Sequence, residues 1–269
     1  MDSGDRGTKM KGLTEELRKE LIPEGTILLG YRGSVAHGTY VKTYGPDAHD
    51  DKDILGVCIG PKEVYYGLQR FEQKERMIPA KDGVEWDSVV YELRKFVHLL
   101  LKCNPNVLSL LFLPEHLYLI RHPLGQRLIE QRDIFVSREA YFSYVGYAKG
   151  QLHRMTHHNE RNLGAKRKKL IEKFKYDTKN ASHLVRLLRL GIEFLSTGDM
   201  HIEREDAAEL LEIKRGEWTL EQVQVEADRL FHLAQEAFIH SPLPPKPDKE
   251  AAERLTMGIL EDWFSKERV

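Results

Sequence analysis

The stretch GSVAHGTYVKTYGPDAHDDKDILGV, residues 33–57, opens with Gly-Ser at the end of one apolar run and closes with two aspartates, one residue apart, at the head of the next. Upstream, TILLGYRGS (26–34) is rich in β-formers and breaks at Gly33, which predicts a first core strand. Downstream, DKDILGVCIG (51–60) reads as a second strand. Asp51 and Asp53 then project from one face of it, because side chains alternate along a strand. Two carboxylates on one face can hold a divalent cation, and a glycine lets backbone N–H groups approach an anion closely, with the Ser34 hydroxyl as a further donor. Taken singly, each feature reads equally as a plain turn. Together they place a phosphate cradle on one strand end and a metal-binding pair on the next, as metal-dependent phosphoryl or nucleotidyl transfer requires.

A third acid belongs with such a pair. EWDSVVYEL (85–93) alternates well enough to be a third strand, and it offers Glu85, Asp87 and Glu92. Glu85 and Asp87 share a face while Glu92 lies opposite, and Asp87 sits deeper in the apolar run. The candidate catalytic and metal-ligating set is therefore Asp51, Asp53 and Asp87, with Mg²⁺ or Mn²⁺ as cofactor and Glu85 as the competitor for the third place.

Outward from this core the period changes. LTEELRKELI (13–22) has helical spacing of Leu13, Leu17 and Leu21. After the third strand, Leu93, Phe96, Val97, Leu100 and Leu101 mark an amphipathic helix ending near Cys103, and Asn104-Pro105 supplies an N-cap followed by proline at the first position of another helix. Beyond about residue 137 the pattern is almost wholly helical, with candidates at 137–156, 164–174, 179–197, 204–213, 219–239 and 249–265 and a proline-rich connector at 241–250. The expected fold is α+β: a small mixed β-sheet core with flanking helices over residues 1–136, then a mostly α-helical domain over 137–269 that binds substrate or nucleotide.

Composition narrows the function classes. The 269 residues, 41% hydrophobic, suffice for one large domain or two smaller ones. No stretch approaches the roughly 20 apolar residues needed to cross a bilayer, and the first residues lack an apolar leader, so a soluble, cytoplasmic chain without a membrane partner is expected. Cys58 and Cys103 lie inside apolar runs without CxxC spacing and read as packing residues. The net charge of −1 hides an asymmetry: Lys149–Arg189 holds twelve Lys/Arg against three Asp/Glu, or +9 against −10 for the remainder. A polyanion partner or a solvated helical face would each account for that concentration. Within it, Lys179, His183 and Arg186 at i, i+4 and i+7 form one cationic stripe, suited to a triphosphate or a nucleic-acid backbone. Tyr176 at its start is placed to stack on a base, and Lys166, Arg167 and Lys168 of AKRKK (165–169) to contact phosphate. His153 and His157 have a zinc-compatible spacing but lack the glutamate of HExxH.

The arrangement GSVAHGT…DDKDILGV with a carboxylate after VEW resembles the nucleotidyltransferase signature of the DNA polymerase beta superfamily. YELRKFVHLLLKCNPNVLSLLF (91–112) and KYDTKNASHLVRLLRLGIEFLSTG (175–198) resemble the nucleotidyltransferases called the RNA repair pathway polymerase beta family. That resemblance implies transfer of a nucleoside monophosphate from an NTP to a hydroxyl, with pyrophosphate leaving and an RNA end favoured as acceptor. It implies that Gly33 and Ser34 hold the triphosphate, Asp51 and Asp53 the metals, and Asp87 the metal nearest the attacking hydroxyl. The long loop 39–50, carrying Asp47, His49 and Asp50, departs from the family pattern, and its acids and histidine stand where they could also meet metal or substrate. Nucleotidylation of a protein side chain or small molecule, and a non-catalytic nucleic-acid or nucleotide-binding module, are the alternatives. The two retained aspartates count against the second.

Overall fold

The computed structural model describes residues 15–41, 51–79, 85–156 and 165–265. The order is α1 (Glu15–Leu21), β1 (Thr26–Tyr31), the one-turn α2 (Gly33–Ala36), β2 (Lys52–Cys58), α3 (Lys62–Tyr66), β3 (Gln73–Pro79), β4 (Glu85–Glu92), α4 (Leu93–Leu100), α5 (Pro105–Ser109), β5 (Tyr118–Arg121) and α6 (Pro123–Glu130). Helices follow: α7 (Ala140–Thr156), α8 (Ala165–Phe174), α9 (Thr178–Thr197), α10 (Ala207–Arg215), α11 (Leu220–His240) and α12 (Lys249–Ser265). The expected α+β class with a small mixed sheet and a helical C-terminal region is the one observed.

Five strands form one sheet in the order β3-β4-β2-β1-β5. β1 pairs antiparallel with both β2 and β5, β3 pairs antiparallel with β4, and β2 pairs parallel with β4. Alternation sorts the side chains between two faces. Leu29, Ile54, Cys58, Trp86 and Val90 lie on the face covered by Leu21 and Ile22 at the end of α1, where the Ser88 hydroxyl donates to the Leu21 carbonyl at 3.1 Å. Leu28, Leu55 and Val57 lie on the opposite face and join a much larger apolar cluster that takes in α4, α7, α9 and residues as far as Phe264. That cluster contains residues on both sides of position 136. Asp53 and Asp87 are in phase with Leu55 and Val89, so they project from the face on which the helical half packs.

Local signals fix the helix boundaries. The Asn104 side chain accepts from the backbone N–H groups of Asn106 (3.1 Å) and Val107 (3.3 Å), with Pro105 at the first position of α5. Asp177 caps α9 by accepting from Asn180 N at 3.1 Å, and α9 stops at Gly198 in the left-handed region, φ +76°. A reciprocal Thr219–Gln222 capping box starts α11. Cys58 and Cys103 are free thiols in the interior, where burial pushes them up to about 12 and about 11. Among the described residues no helix is long and apolar enough to cross a membrane.

Candidate active site

The parallel register of β2 on β4 sets Asp53 directly beside Asp87. Arg32, the residue just past β1, closes over the pair: its Nη2 is 2.7 Å from Asp87 Oδ2 and 4.0 Å from Asp53 Oδ1. Its backbone N–H donates to the Asp53 carbonyl at 2.9 Å, extending the β1–β2 ladder one step past the strand end. The next residue, Gly33, has φ +62°, and a Cβ there would collide with the Asp53 carboxylate. Glycine is required twice over, by conformation and by space. The turn is then locked from behind: His37 N–H donates to the Gly33 carbonyl at 3.1 Å and Thr39 N–H to the Ser34 carbonyl at 2.9 Å. His37 is buried with Nδ1 2.9 Å from the Ile202 carbonyl. Lys214 Nζ donates to the Thr39 carbonyl at 3.1 Å, which ties the turn to the helical half at a second point.

Burial dominates the electrostatics of Asp53. It raises the Asp53 carboxyl to about 6, against the Arg32 guanidinium and Lys179, which favour the carboxylate, and with Asp87 and Asp51, whose negative charges disfavour it. Arg32 therefore holds the position a cation would take between two carboxylates, and its own Nε is buried without a hydrogen-bond partner among the described residues. Among the described residues, no three His, Cys, Asp or Glu side chains converge closely enough to hold a metal by themselves. The expected three-carboxylate set is here a pair, Asp53 and Asp87, with Asp51 one residue ahead of β2 and acting on Asp53 through its charge. Such a donor set suits Mg²⁺ or Mn²⁺, which commonly bind one or two carboxylates and complete their shell with phosphate oxygens and water.

Of the competing acids, Glu85 is exposed at the outer end of β4. Glu92 is buried and structural. It accepts from the Tyr65 hydroxyl at 2.7 Å and caps α4 by accepting from Lys95 N at 3.2 Å.

A cavity of about 260 Å³ opens beside Asp53, Arg32 and Gly33, and α9 lines its other side with His183 and Arg186. The basic stripe thus faces the acid strand ends. Lys179 acts on Asp53 and on His183 through its charge. Burial, reinforced by Arg186, Lys179, Lys214 and His37, holds His183 well below its ordinary value. Burial likewise lowers Arg186 to about 10; Tyr144 and Asp206 oppose this and Arg204 adds to it. No carboxylate among the described residues lies within salt-bridge distance of Arg186.

One expected residue is corrected. Tyr176 is 1% exposed, packed in the large apolar cluster, with its hydroxyl donating to the Trp218 carbonyl at 2.6 Å. Its ring is a core ring and offers no face to a base. Of the AKRKK run, the Lys168 side chain is described and is exposed on α8, while the Lys166 and Arg167 side chains, the loop acids Asp47 and Asp50 with His49, and His157 lie outside the described residues. Sequence reasoning missed Arg32, Tyr147, Gln151 and Arg154, all of which line the cavity. For the last three a signal existed, since they recur at i, i+4 and i+7 along one helix.

A profile of the RNA repair pathway DNA polymerase beta family (RlaP) matches residues 24–258. Among curated proteins no sequence matches the chain. Among solved structures, a nucleotidyltransferase-like protein from Exiguobacterium sibiricum 255-15 is 14% identical, with 82% of this chain and 73% of that one covered and a TM-score of 0.31. The CD-NTase CdnG of Bradyrhizobium diazoefficiens, solved in complex with GTP, is 12% identical over 89% of this chain and 87% of that one, with a TM-score of 0.20. The family match includes both strands of the acid pair and the whole basic helix: the chain belongs to the RNA repair pathway DNA polymerase beta family and is a nucleotidyltransferase.

Proposed function

We propose that this chain transfers a nucleoside monophosphate from an NTP to a hydroxyl, with an RNA end as the favoured acceptor and pyrophosphate as the leaving group. The observation that carries the reading is the juxtaposition of Asp53 and Asp87, across one parallel register step, with a cavity whose opposite side bears His183 and Arg186. Arg186 is a half-buried guanidinium on the cavity wall with no carboxylate within salt-bridge distance among the described residues, an arrangement that an anion would complete. A triphosphate supplies that anion, held by Arg186, His183 and Lys179 on one side and by Gly33 and Ser34 on the other.

Asp53 and Asp87, with Asp51 at the entrance of β2, would hold the divalent ion in the position now taken by the Arg32 guanidinium. When bound, that ion neutralises the phosphates and lowers the pKa of the attacking hydroxyl. Arg32, released from Asp87, is left beside Gly33 to contact a phosphate oxygen. In the transfer the acceptor oxygen bonds to the α-phosphorus as the bond from that phosphorus to the α,β-bridging oxygen breaks. The hydroxyl proton passes to Asp87 or to solvent, and the bridging oxygen leaves with pyrophosphate. The preference for RNA rests on the family's description and on the +9 segment, whose Lys166, Arg167 and Lys168 would track an acceptor backbone.

Incubation with each α-labelled NTP, Mg²⁺ or Mn²⁺, and RNA, DNA or no nucleic acid tests the reading, with Asp51→Ala/Asp53→Ala in parallel. Label on RNA that requires the aspartates is expected. Label on the protein alone would replace RNA by a side-chain acceptor. No label on any acceptor would overturn the reading.

A further inference from the structure

The cavity beside Asp53 has a second polar wall that the chemistry above does not use. Tyr147 and Gln151 stand one helical turn apart on α7 and line it together with Arg154 of the same stripe, while Arg32 from the end of β1 and His183 and Arg186 from α9 supply the remaining cationic lining. Apolar lining comes from Leu110, Leu113 and Leu187. The lining offers both chemistries a nucleotide needs: cationic groups for the phosphates, and the neutral Tyr147 and Gln151 with apolar surface for the base.

Two details separate this wall from an ordinary helix face. The Gln151 Oε1 is buried and has no hydrogen-bond partner among the described residues. A buried acceptor left in that state is costly, so its persistence on a cavity wall calls for a donor from outside the chain. Tyr147 is 39% exposed, yet its orientation is set, because its hydroxyl accepts from Asn104 Nδ2 at 2.8 Å. Asn104 itself is fixed as the cap of α5. The ring is therefore a pre-positioned surface of the kind on which bases stack.

We infer that Tyr147 and Gln151 form the nucleobase subsite, Tyr147 lying against the face of the base and Gln151 Oε1 accepting from an exocyclic amine on its edge. The inference rests on the nucleotidyl-transfer reading and sharpens its substrate: the favoured nucleotide carries an amino group where its keto counterpart has a carbonyl. ATP is then bound in preference to ITP, and CTP in preference to UTP, since each pair differs at that edge by exchanging a donor for an acceptor. A site built around one hydrogen bond discriminates strongly against the partner that leaves it unmade.

Equilibrium binding of these four nucleotides and of inorganic tripolyphosphate, in Mg²⁺ and without acceptor, tests this on the full chain and on Gln151→Leu and Gln151→Glu. Expected is a preference of about tenfold or more for the amine-bearing member of at least one pair. Gln151→Leu abolishes it, whereas Gln151→Glu, which keeps an acceptor oxygen, retains it. Tripolyphosphate, which has no base, reports the cationic lining alone. If it and the nucleotides bind wild type but the preference is absent, reversed or unchanged in Gln151→Leu, the base subsite is wrong while the transfer reading stands. If neither tripolyphosphate nor any nucleotide binds wild type, the transfer reading itself fails and takes this inference with it.

Discussion

Arg186 and Arg189 sit one turn apart on α9 and live in opposite surroundings. Arg189 is clamped: Nη1 lies 2.7 Å from both Asp206 Oδ2 and Glu209 Oε2, and Nη2 lies 2.9 Å from Glu226 Oε1, which binds α9 to α10 and α11. Those hydrogen bonds raise its pKa in spite of burial. Arg186 lines the cavity with no carboxylate among the described residues within salt-bridge distance, and burial lowers it to about 10. The neighbouring Arg204 repeats the clamped pattern, at 2.7 Å from Glu193 Oε2 and 2.8 Å from Asp206 Oδ1. Two neighbouring cations on one helix thus differ in use: Arg189 joins helices, and Arg186 is left for a ligand. Proteins retain buried, uncompensated charge where a bound partner completes it, so the contrast separates brace from site within one element.

The clamped face carries the larger stability effect. Arg189→Ala leaves Asp206, Glu209 and Glu226 together without their shared cation and is expected to lower the urea-unfolding free energy by about 2 kcal/mol, below the fully buried case because Glu209 is 38% exposed. Loss of nucleotide binding without loss of stability in that variant would break the comparison.

Acid reaches the cavity face next. Burial, then the Arg186 charge, holds His37 well below its ordinary value; its bond to the Ile202 carbonyl opposes this and Arg204 adds to it. The unfolded chain binds a proton below about pH 6.5 that the folded chain does not, so the stability present above that pH is lost as pH falls through it. The slope from this residue approaches about 1.4 kcal/mol per pH unit below that pH, and the rise of urea-unfolding free energy with pH between pH 5 and 6 should be shallower by about that slope in His37→Gln.

Arg32→Gln leaves Asp53 and Asp87 facing each other. Without metal the variant should lose about 1 kcal/mol, and Mg²⁺ should raise its melting temperature more than it raises that of wild type. An equal rise in both would mean that Arg32 and the ion do not share a position. Smallest in stability is Arg186→Met. It should sit within about 1 kcal/mol of wild type, or above it, while NTP affinity falls about tenfold. A drop as large as that of Arg189→Ala would show that Arg186 is a brace as well.

Much of this was legible from residue spacing. The helices behind residue 137 announce themselves by period and caps, and α9 starts at the residue after Asp177 because that carboxylate caps it. β3 and β5 were not read as strands. Both are sheet edges, β3 the charged QKERMIP and β5 only Tyr118–Arg121, and edge strands are kept short or charged, which removes the apolar alternation that reveals a strand. Asp53 and Asp87 could each be named, but their adjacency depends on a parallel register that no local pattern encodes. Arg32 was overlooked for the same reason: its role appears only once Asp87 is beside it. Tyr176 misled because its place at the head of a basic helix is compatible with exposure, and only packing against the core and Trp218 shows it is buried.

The most direct measurement is single-turnover transfer of label from an NTP onto its acceptor by Asp87→Asn and Glu85→Gln. The β2–β4 register predicts that Asp87→Asn loses about 10³-fold or more while Glu85→Gln stays near wild type. A Glu85→Gln enzyme that is inactive beside an active Asp87→Asn would contradict the acid pair on which this account is built.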